Sequence, residues 1–292
     1  MSEPLARHQL FEYDEAQPFV IINIPGFTPD MEFLHSHWHE ELEIAYIRMG
    51  NSRHYIDGQC VVAEPGRLIV TNSGSVHSII PGGTTREQSD EIAAVVLLIH
   101  AHFLKQVFPE YASLLFLNEK TKARAEIGEI MGKLSEYAKK ETHASHEILY
   151  AKGLVLQLLS YMYEEGVTSR EHAYNINYLK NIERMKGVIQ YVENHYTEPI
   201  SQSAVAQKFY FSREYFSRYF KKTCGMTFTD YVTQYRLQKA KEDLIGSSAS
   251  ILEIALKNGF SDERRFINSF RKWFGTTPLQ YRKKVKNAKQ TG

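Results

Sequence analysis

Two periodicities divide the chain. In roughly its first hundred residues, apolar positions come in short runs with a period of two. Leu42, Ile44 and Tyr46 alternate with more polar neighbours, which predicts a half-buried strand. Asp57-Gly58, between Tyr55-Ile56 and Cys60-Val61-Val62, is a hairpin signal. Pro65-Gly66 turns into Leu68-Ile69-Val70, and Pro81-Gly82-Gly83 breaks the next run. The longest apolar run, Ile92 to Ile99, reads as a buried strand and is far too short to span a bilayer. Many short strands at this spacing predict a sandwich or small barrel over residues 1–102.

From about residue 103 the period becomes helical. Ile127, Ile130, Leu134 and Tyr137 form one stripe, and Ile148, Val155, Leu158, Leu159 and Met162 form another. The polar stretch Lys139–His143 between them makes 103–163 a helical hairpin that packs on the barrel or pairs with a second subunit; pairing is favoured. Residues 164–180 begin Glu164-Glu165-Gly166, are polar, and read as an interdomain linker. Ile182, Met185, Ile189 and Val192 then open a second helical domain, 181–286.

Within that domain a pattern occurs twice. Aligned on Ala206 and Ala255, the copies read AQKFYFS-REYF-SRYFKKTCG and ALKNGFS-DERRFINSFRKWFG, with one extra residue after the second Ser. Gly225 precedes Tyr231 by six residues, as Gly275 precedes Tyr281. Each copy has the marks of a helix-turn-helix, over about 201–222 and 250–272. Ser201 or Ser203 caps the first short helix and Ser212 the next, which turns Phe216 and Phe220 inward. In the second copy Ser250 caps one helix and Ser261 or Asp262 the other, with Phe266 and Phe270 inside. A helix over about Phe228–Leu244 joins the copies.

Charge sharpens the picture. Residues 181–292 hold 20 Lys or Arg against 10 Asp or Glu, whereas residues 1–180 hold 15 against 24, within a net charge of +1. Such a split in a near-neutral chain points to one half built for a polyanion, double-stranded DNA. On the polar faces of the second helix in each copy stand Glu214, Ser217 and Arg218, then Arg264, Arg265 and Asn268. Arg and Asn pair bidentately with guanine and adenine edges in the major groove. Arg213, Lys221, Lys222, Arg271 and Lys272 suit backbone phosphates, which fix register. Any single basic pair is more simply a solvated face; recurrence at matched offsets is what favours a DNA role.

These residues resemble the AraC/XylS family of bacterial transcription regulators. Ile254-Ala255, Gly259-Phe260-Ser261, Phe266, Phe270, Gly275, Pro278 and Tyr281-Arg282 fit its C-terminal pattern, and Tyr231, Arg236 and Ala240 fit its linker helix. Carried over by position, the family's base contacts fall on Glu214, Ser217, Arg218, Arg264, Arg265 and Asn268. Tyr210 departs from the pattern, standing where many relatives have a turn Gly, and Glu214 is an acid facing DNA that accepts from cytosine or is less engaged.

A second constellation lies in the N-terminal region. His37-x-His39, Glu43 and Gly50 match the first motif of the cupins, and Gly66, Asn72, Gly74 and His77 resemble the second, with Asn72 where Pro is usual. Two His two apart on a strand share one face, and Glu with a distant His completes a metal-ligand set. The favoured reading assigns no metal and no cofactor: His37, His39, Glu43, Arg48 and His77 are taken as candidates for an effector pocket. His35, Arg53 and His54 are further polar groups for a ligand such as a sugar or organic acid.

The resulting expectation is a multidomain α+β protein, a cupin-like β-barrel with a helical hairpin followed by an all-α domain with two helix-turn-helix units. It implies a non-enzymatic transcription regulator, an activator by family tendency, controlled by a small-molecule effector such as a sugar. A homodimer and contact with RNA polymerase follow from the resemblance. The alternative is a metal-dependent cupin enzyme with a DNA-binding appendage. The start, Met1-Ser2-Glu3-Pro4, lacks the regions of a signal peptide, and Cys60 and Cys224 fall in different domains, so a cytoplasmic protein without disulfides or membrane contact is expected.

Overall fold

The computed structural model describes residues 15–25, 34–81, 91–118, 124–170 and 176–290. The Met1–Pro4 start and the Gly82-Gly83 break lie outside the described residues. The chain divides into two compact units at residues 183/184. Each is described by itself.

The first unit is built on two four-stranded antiparallel sheets. One has the order β1 (Phe19–Pro25), β8 (Ile92–Ile99), β3 (Leu42–Ile47), β6 (Leu68–Thr71). The other runs β2 (Leu34–His37), β7 (His77–Pro81), β4 (Ser52–Ile56), β5 (Gln59–Ala63). Strand alternation assigns their faces. Leu42 and Ile44 of β3 enter a core shared with Leu104 of α1 (Ala101–Val107) and with helices α2 (Ala125–Tyr137) and α3 (Ser145–Glu165). Ala45 and Ile47 enter a second core with Ile56, Val61 and Ala63 of the other sheet. The expectation that β3 is half-buried is therefore corrected: both of its faces are covered, and Glu43 lies on the face turned toward the second sheet.

Ile127, Ile130 and Leu134 of α2 and Val155, Leu158, Leu159 and Met162 of α3 all lie in the first core. Those stripes cover their own domain. Asn23 and Ser135 bond reciprocally at 2.8 and 2.9 Å, and Tyr137 donates to Gln17 at 2.7 Å, tying α2 to the β1 side of the sheet. At the hairpin tip Asp57 and Gly58 have φ of 49° and 82°, the pair of positive angles that a tight hairpin turn needs.

The segment expected as a linker contains regular structure. Val167–Ser169 forms β10, paired with β9 (Leu114–Phe116), and Val167 packs against the first core. Backbone pairing and this contact override the segment's polar composition. Helix α4 then starts at Ile176 and runs to His195, while residues 171–175 lie outside the described set.

The second unit is helical. After α4 come α5 (Gln202–Lys208), α6 (Arg213–Cys224), α7 (Phe228–Gly246), α8 (Ile251–Lys257), α9 (Glu263–Phe274) and α10 (Pro278–Gln290). The sequence repeat appears as repeated local bonding. Ser201 caps α5 through the Ala204 N–H, and Ser250 caps α8 through that of Glu253. Ser212 caps α6, but Asp262, not Ser261, caps α9, so the extra residue is absorbed at this cap. Gly225 and Gly275 end α6 and α9 with φ of 76° and 68°, a left-handed stop that Gly adopts without a Cβ penalty.

The inward aromatics repeat too. Phe216 and Phe220 lie 5.6 Å apart between ring centres and Phe266 and Phe270 5.7 Å; Phe220 meets Tyr231 at 5.4 Å as Phe270 meets Tyr281 at 5.7 Å. Helix α7 buries residues all round, including Tyr231, Tyr235, Leu237, Ala240, Lys241 and Leu244. Two guanidiniums fasten the approaches to the pairs. Arg236 donates to the carbonyls of Tyr196 and Glu198 at 2.6 and 2.7 Å, ahead of α5. Arg282 donates to those of Leu244 and Ala249 at 3.2 and 2.7 Å, ahead of α8.

Candidate nucleic-acid interface and sensor site

In the helical unit, packing of the Phe pairs decides what is left outside. With Phe216 and Phe220 buried, α6 exposes Arg213, Glu214, Ser217, Arg218, Lys221 and Lys222. With Phe266 and Phe270 buried, α9 exposes Arg264, Arg265, Asn268, Arg271 and Lys272. All eleven candidates for DNA contact are thus solvent-facing on the two helices, and Glu214/Arg264, Arg218/Asn268, Lys221/Arg271 and Lys222/Lys272 hold corresponding places. The Asp262 side chain accepts from the Arg265 N–H at 2.7 Å and its carboxyl is held below the usual range by that bond. The cap thereby fixes the first turn from which Arg264 and Arg265 project. Lys272 lies 4.0 Å from Asp230, an exposed pair of little energetic weight.

In the sheet unit, the end of β2, the loop after it, β3 and the start of β7 bring together His37, His39, Glu43 and His77, whose ligand atoms all lie within 4.8 Å of one another. All four are buried. Ring centres of His37 and His77 are 4.0 Å apart, and those of His39 and His77 4.9 Å. Glu43 Oε2 lies 3.2 Å from His39 Nε2 and 3.6 Å from His77 Nε2. The outer nitrogens have their own partners: His39 Nδ1 lies 3.4 Å from the buried Glu41 carboxylate, and His77 Nδ1 3.1 Å from the Ser75 carbonyl.

Electrostatics follow from this geometry. Burial opposes charge on His39, but hydrogen bonds and charge from Glu41 and Glu43 outweigh it and raise its pKa to about 9. Burial likewise opposes charge on Glu43, and His39 and His77 overcome it, holding the carboxyl well below its usual range. His54, buried in β4 with Nε2 3.1 Å from Ser52 Oγ, is pushed down to about 4, chiefly by burial.

Of the expected pocket residues, four converge and one does not. Arg48 follows the end of β3 and is exposed, about 16 Å along the chain from Glu43 at strand rise, and Arg53 is exposed on β4. Glu41 was not singled out by the sequence, because it falls between the motif positions and alternation gives no reason for a second acid to be buried. Three imidazoles and one carboxylate suit a first-row transition metal as a donor set. A separate cleft of about 160 Å³ is lined by residues including Asp57, Asn72, Asn118 and Tyr178. Cys60 is exposed and Cys224 buried, both as free thiols.

No described helix is long and apolar enough to cross a membrane. Comparison with known proteins matches residues 28–159 to an AraC-like ligand binding domain and 205–284 to a helix-turn-helix domain. A Bacillus subtilis protein described as an uncharacterized HTH-type transcriptional regulator, YdeC, is 24% identical over 89% of this chain and 88% of its own length. A Staphylococcus aureus regulator of the same description is 27% identical over 78% of this chain, which spans only 30% of that longer protein. Among solved structures, the C-terminal domain of the response regulator yesN from Fusobacterium nucleatum is 36% identical over 34% of this chain and 98% of its own, with a TM-score of 0.33. The DNA-binding domain of AdpA, solved with a target DNA, is 25% identical over 36% of this chain and 96% of its own, with a TM-score of 0.35. With a ligand-binding segment ahead of a DNA-binding helix-turn-helix segment, the chain belongs to the AraC family of transcriptional regulators.

Proposed function

We propose that the chain is an effector-controlled, sequence-specific regulator of transcription, an activator, in which α6 and α9 are the recognition helices of two helix-turn-helix units. The observation that carries this is the exposure of Glu214, Ser217 and Arg218 on α6 and of Arg264, Arg265 and Asn268 on α9 over buried Phe pairs, with Glu214/Arg264 and Arg218/Asn268 in corresponding places. Arg213, Lys221, Lys222, Arg271 and Lys272 take phosphates and set register. Held through α7, the two helices enter successive major-groove segments about one turn, or about 34 Å, apart.

The sheet unit is the cupin-like sensor, with His37, His39, Glu43 and His77 as its ligand-facing group. Its ligand acts by binding one arrangement of the regulator better than another, since equal affinity for both would shift nothing. A homodimer is supported by α3, which leaves Leu149, Leu156 and Tyr163 exposed at intervals of seven residues on the face away from its own core.

DNA footprinting with the purified chain on the regions upstream of its own and neighbouring genes tests the reading. Protected segments with contacts about 10 base pairs apart are expected. A chain that protects no segment above random-sequence DNA at moderate salt is not a sequence-specific regulator.

A further inference from the structure

The buried cluster of the sheet unit has the layout of an inorganic site, and its outer partners carry that point further than its ligand set. An imidazole that binds a metal through one nitrogen usually gives the other to a carboxylate or a backbone carbonyl, which fixes tautomer and ring orientation. Both arrangements occur here. His77 Nδ1 donates to the Ser75 carbonyl at 3.1 Å, which turns Nε2 toward Glu43 Oε2 at 3.6 Å. His39 Nδ1 faces the Glu41 carboxylate at 3.4 Å, which turns its Nε2 to the same Glu43 oxygen at 3.2 Å. Two Nε2 atoms are therefore aimed at one carboxylate oxygen, with the His37 ring 4.0 Å from that of His77.

Charge is compatible with this layout. Glu41 and Glu43 are 5% and 8% exposed, and a dication in place of the proton on His39 would balance both buried carboxylates. Size agrees as well: metal–nitrogen bonds of about 2.1 Å put opposed donors about 4.2 Å apart, so the observed 4.8 Å limit closes with small side-chain rotations.

We propose that His37, His39, Glu43 and His77 hold one first-row divalent transition-metal ion as the sensor's ligand, with Glu41 as the positioning carboxylate that aims His39. This deepens the regulator reading by naming the class of ligand, and rests on that reading only for its consequence at DNA.

The test is equilibrium dialysis of the full chain against Zn²⁺, Mn²⁺ or Co²⁺, with metal content measured by atomic emission. One retained ion per chain is expected. The Co²⁺ form should show visible absorption from the metal's d electrons, which reports protein ligands directly. His77→Ala should abolish retention. Glu41→Gln, nearly the same shape, should keep the fold and still bind, with affinity about 10–100-fold weaker. Far-UV circular dichroism on each variant separates loss of a ligand from loss of the fold. A folded wild-type chain that retains none of the three ions overturns the proposal, as does a folded His77→Ala that retains them undiminished. Unchanged affinity in Glu41→Gln removes the positioning role. Footprinting the same samples with and without metal keeps the two readings apart: metal bound without DNA protection leaves the site standing and sinks the regulator, and DNA protection without metal does the reverse.

Discussion

Tyr210 and Gly259 hold the same place in the two helix pairs, and both adopt a left-handed backbone, with φ of 59° and 79°. The following residues close the turn alike, Phe211 N–H to the Ala206 carbonyl at 2.8 Å and Phe260 N–H to that of Ala255 at 3.0 Å. The surroundings differ. Tyr210 is 84% exposed, while a Cβ at Gly259 would lie 2.6 Å from the Tyr196 carbonyl oxygen.

Opposite effects of substitution follow. Tyr210→Gly should raise stability by about 0.5–1 kcal/mol by relieving the left-handed penalty. Gly259→Ala should lower it by about 1–3 kcal/mol, because backbone atoms must move as well as φ strain. Urea unfolding of each variant reads both signs; equal responses at the two positions would show that the turn, and not its packing, decides.

Arg236 gives a second prediction. Its guanidinium reaches two carbonyls that precede α5, and burial lowers its pKa. Arg236→Ala leaves those carbonyls without their charged donor and should cost about 2–3 kcal/mol. Arg236→Lys should recover little of it, since one ammonium does not span the two acceptors as a planar fork does. Thermal unfolding midpoints of the two variants would settle the comparison.

If α6 and α9 read DNA as proposed, the base-reading and phosphate-binding residues should separate by salt and by sequence. Arg264→Ala should weaken specific binding by about 1–3 kcal/mol and relax the preference at one base pair. Lys222→Ala should weaken binding evenly across sequences and lower the slope against log salt by about 1. A site selection from random DNA that returns an unchanged motif for Arg264→Ala would remove that residue from base reading.

His54 predicts a pH dependence. Its pKa is depressed to about 4 in the fold, against about 6.5 in an unfolded chain. Between these values the unfolded state binds the extra proton, so stability falls as pH drops through 6.5 toward 4 and is unaffected above about 7. The contribution is about 3 kcal/mol at most. Comparing urea midpoints at pH 7.5 and 5 in the wild type and His54→Gln isolates it: the loss at pH 5 should be smaller in the variant.

Much of the helical unit was legible because its signals are local. Caps, stop glycines and the spacing of Phe216/Phe220 and Phe266/Phe270 each lie within one turn of the residues they organise. The choice between Ser261 and Asp262 was not, since both side chains are able to cap and only the packed helix selects Asp262. In the sheet unit, alternation located strands but misjudged β3 as half-buried, because cover on a strand's second face comes from residues far along the chain. Motif spacing grouped His37, His39, Glu43 and His77, which do meet in the fold, whereas Arg48, grouped with them, lies past the strand end and away from the cluster. The role of Ser75 is invisible in sequence because its backbone carbonyl, not its side chain, meets His77.

Helix α7 is buried over most of its surface, with Phe228 and Tyr231 against the aromatics of α6 and Leu237, Ala240 and Leu244 in the core of α8 and α9. A residue there answers to two neighbourhoods at once. Change in one half of the unit is therefore transmitted as a change in the other, and the separation of α6 and α9 behaves as a fixed length; on the proposed reading any mismatch of helical phase is left for the DNA to absorb by twisting or bending.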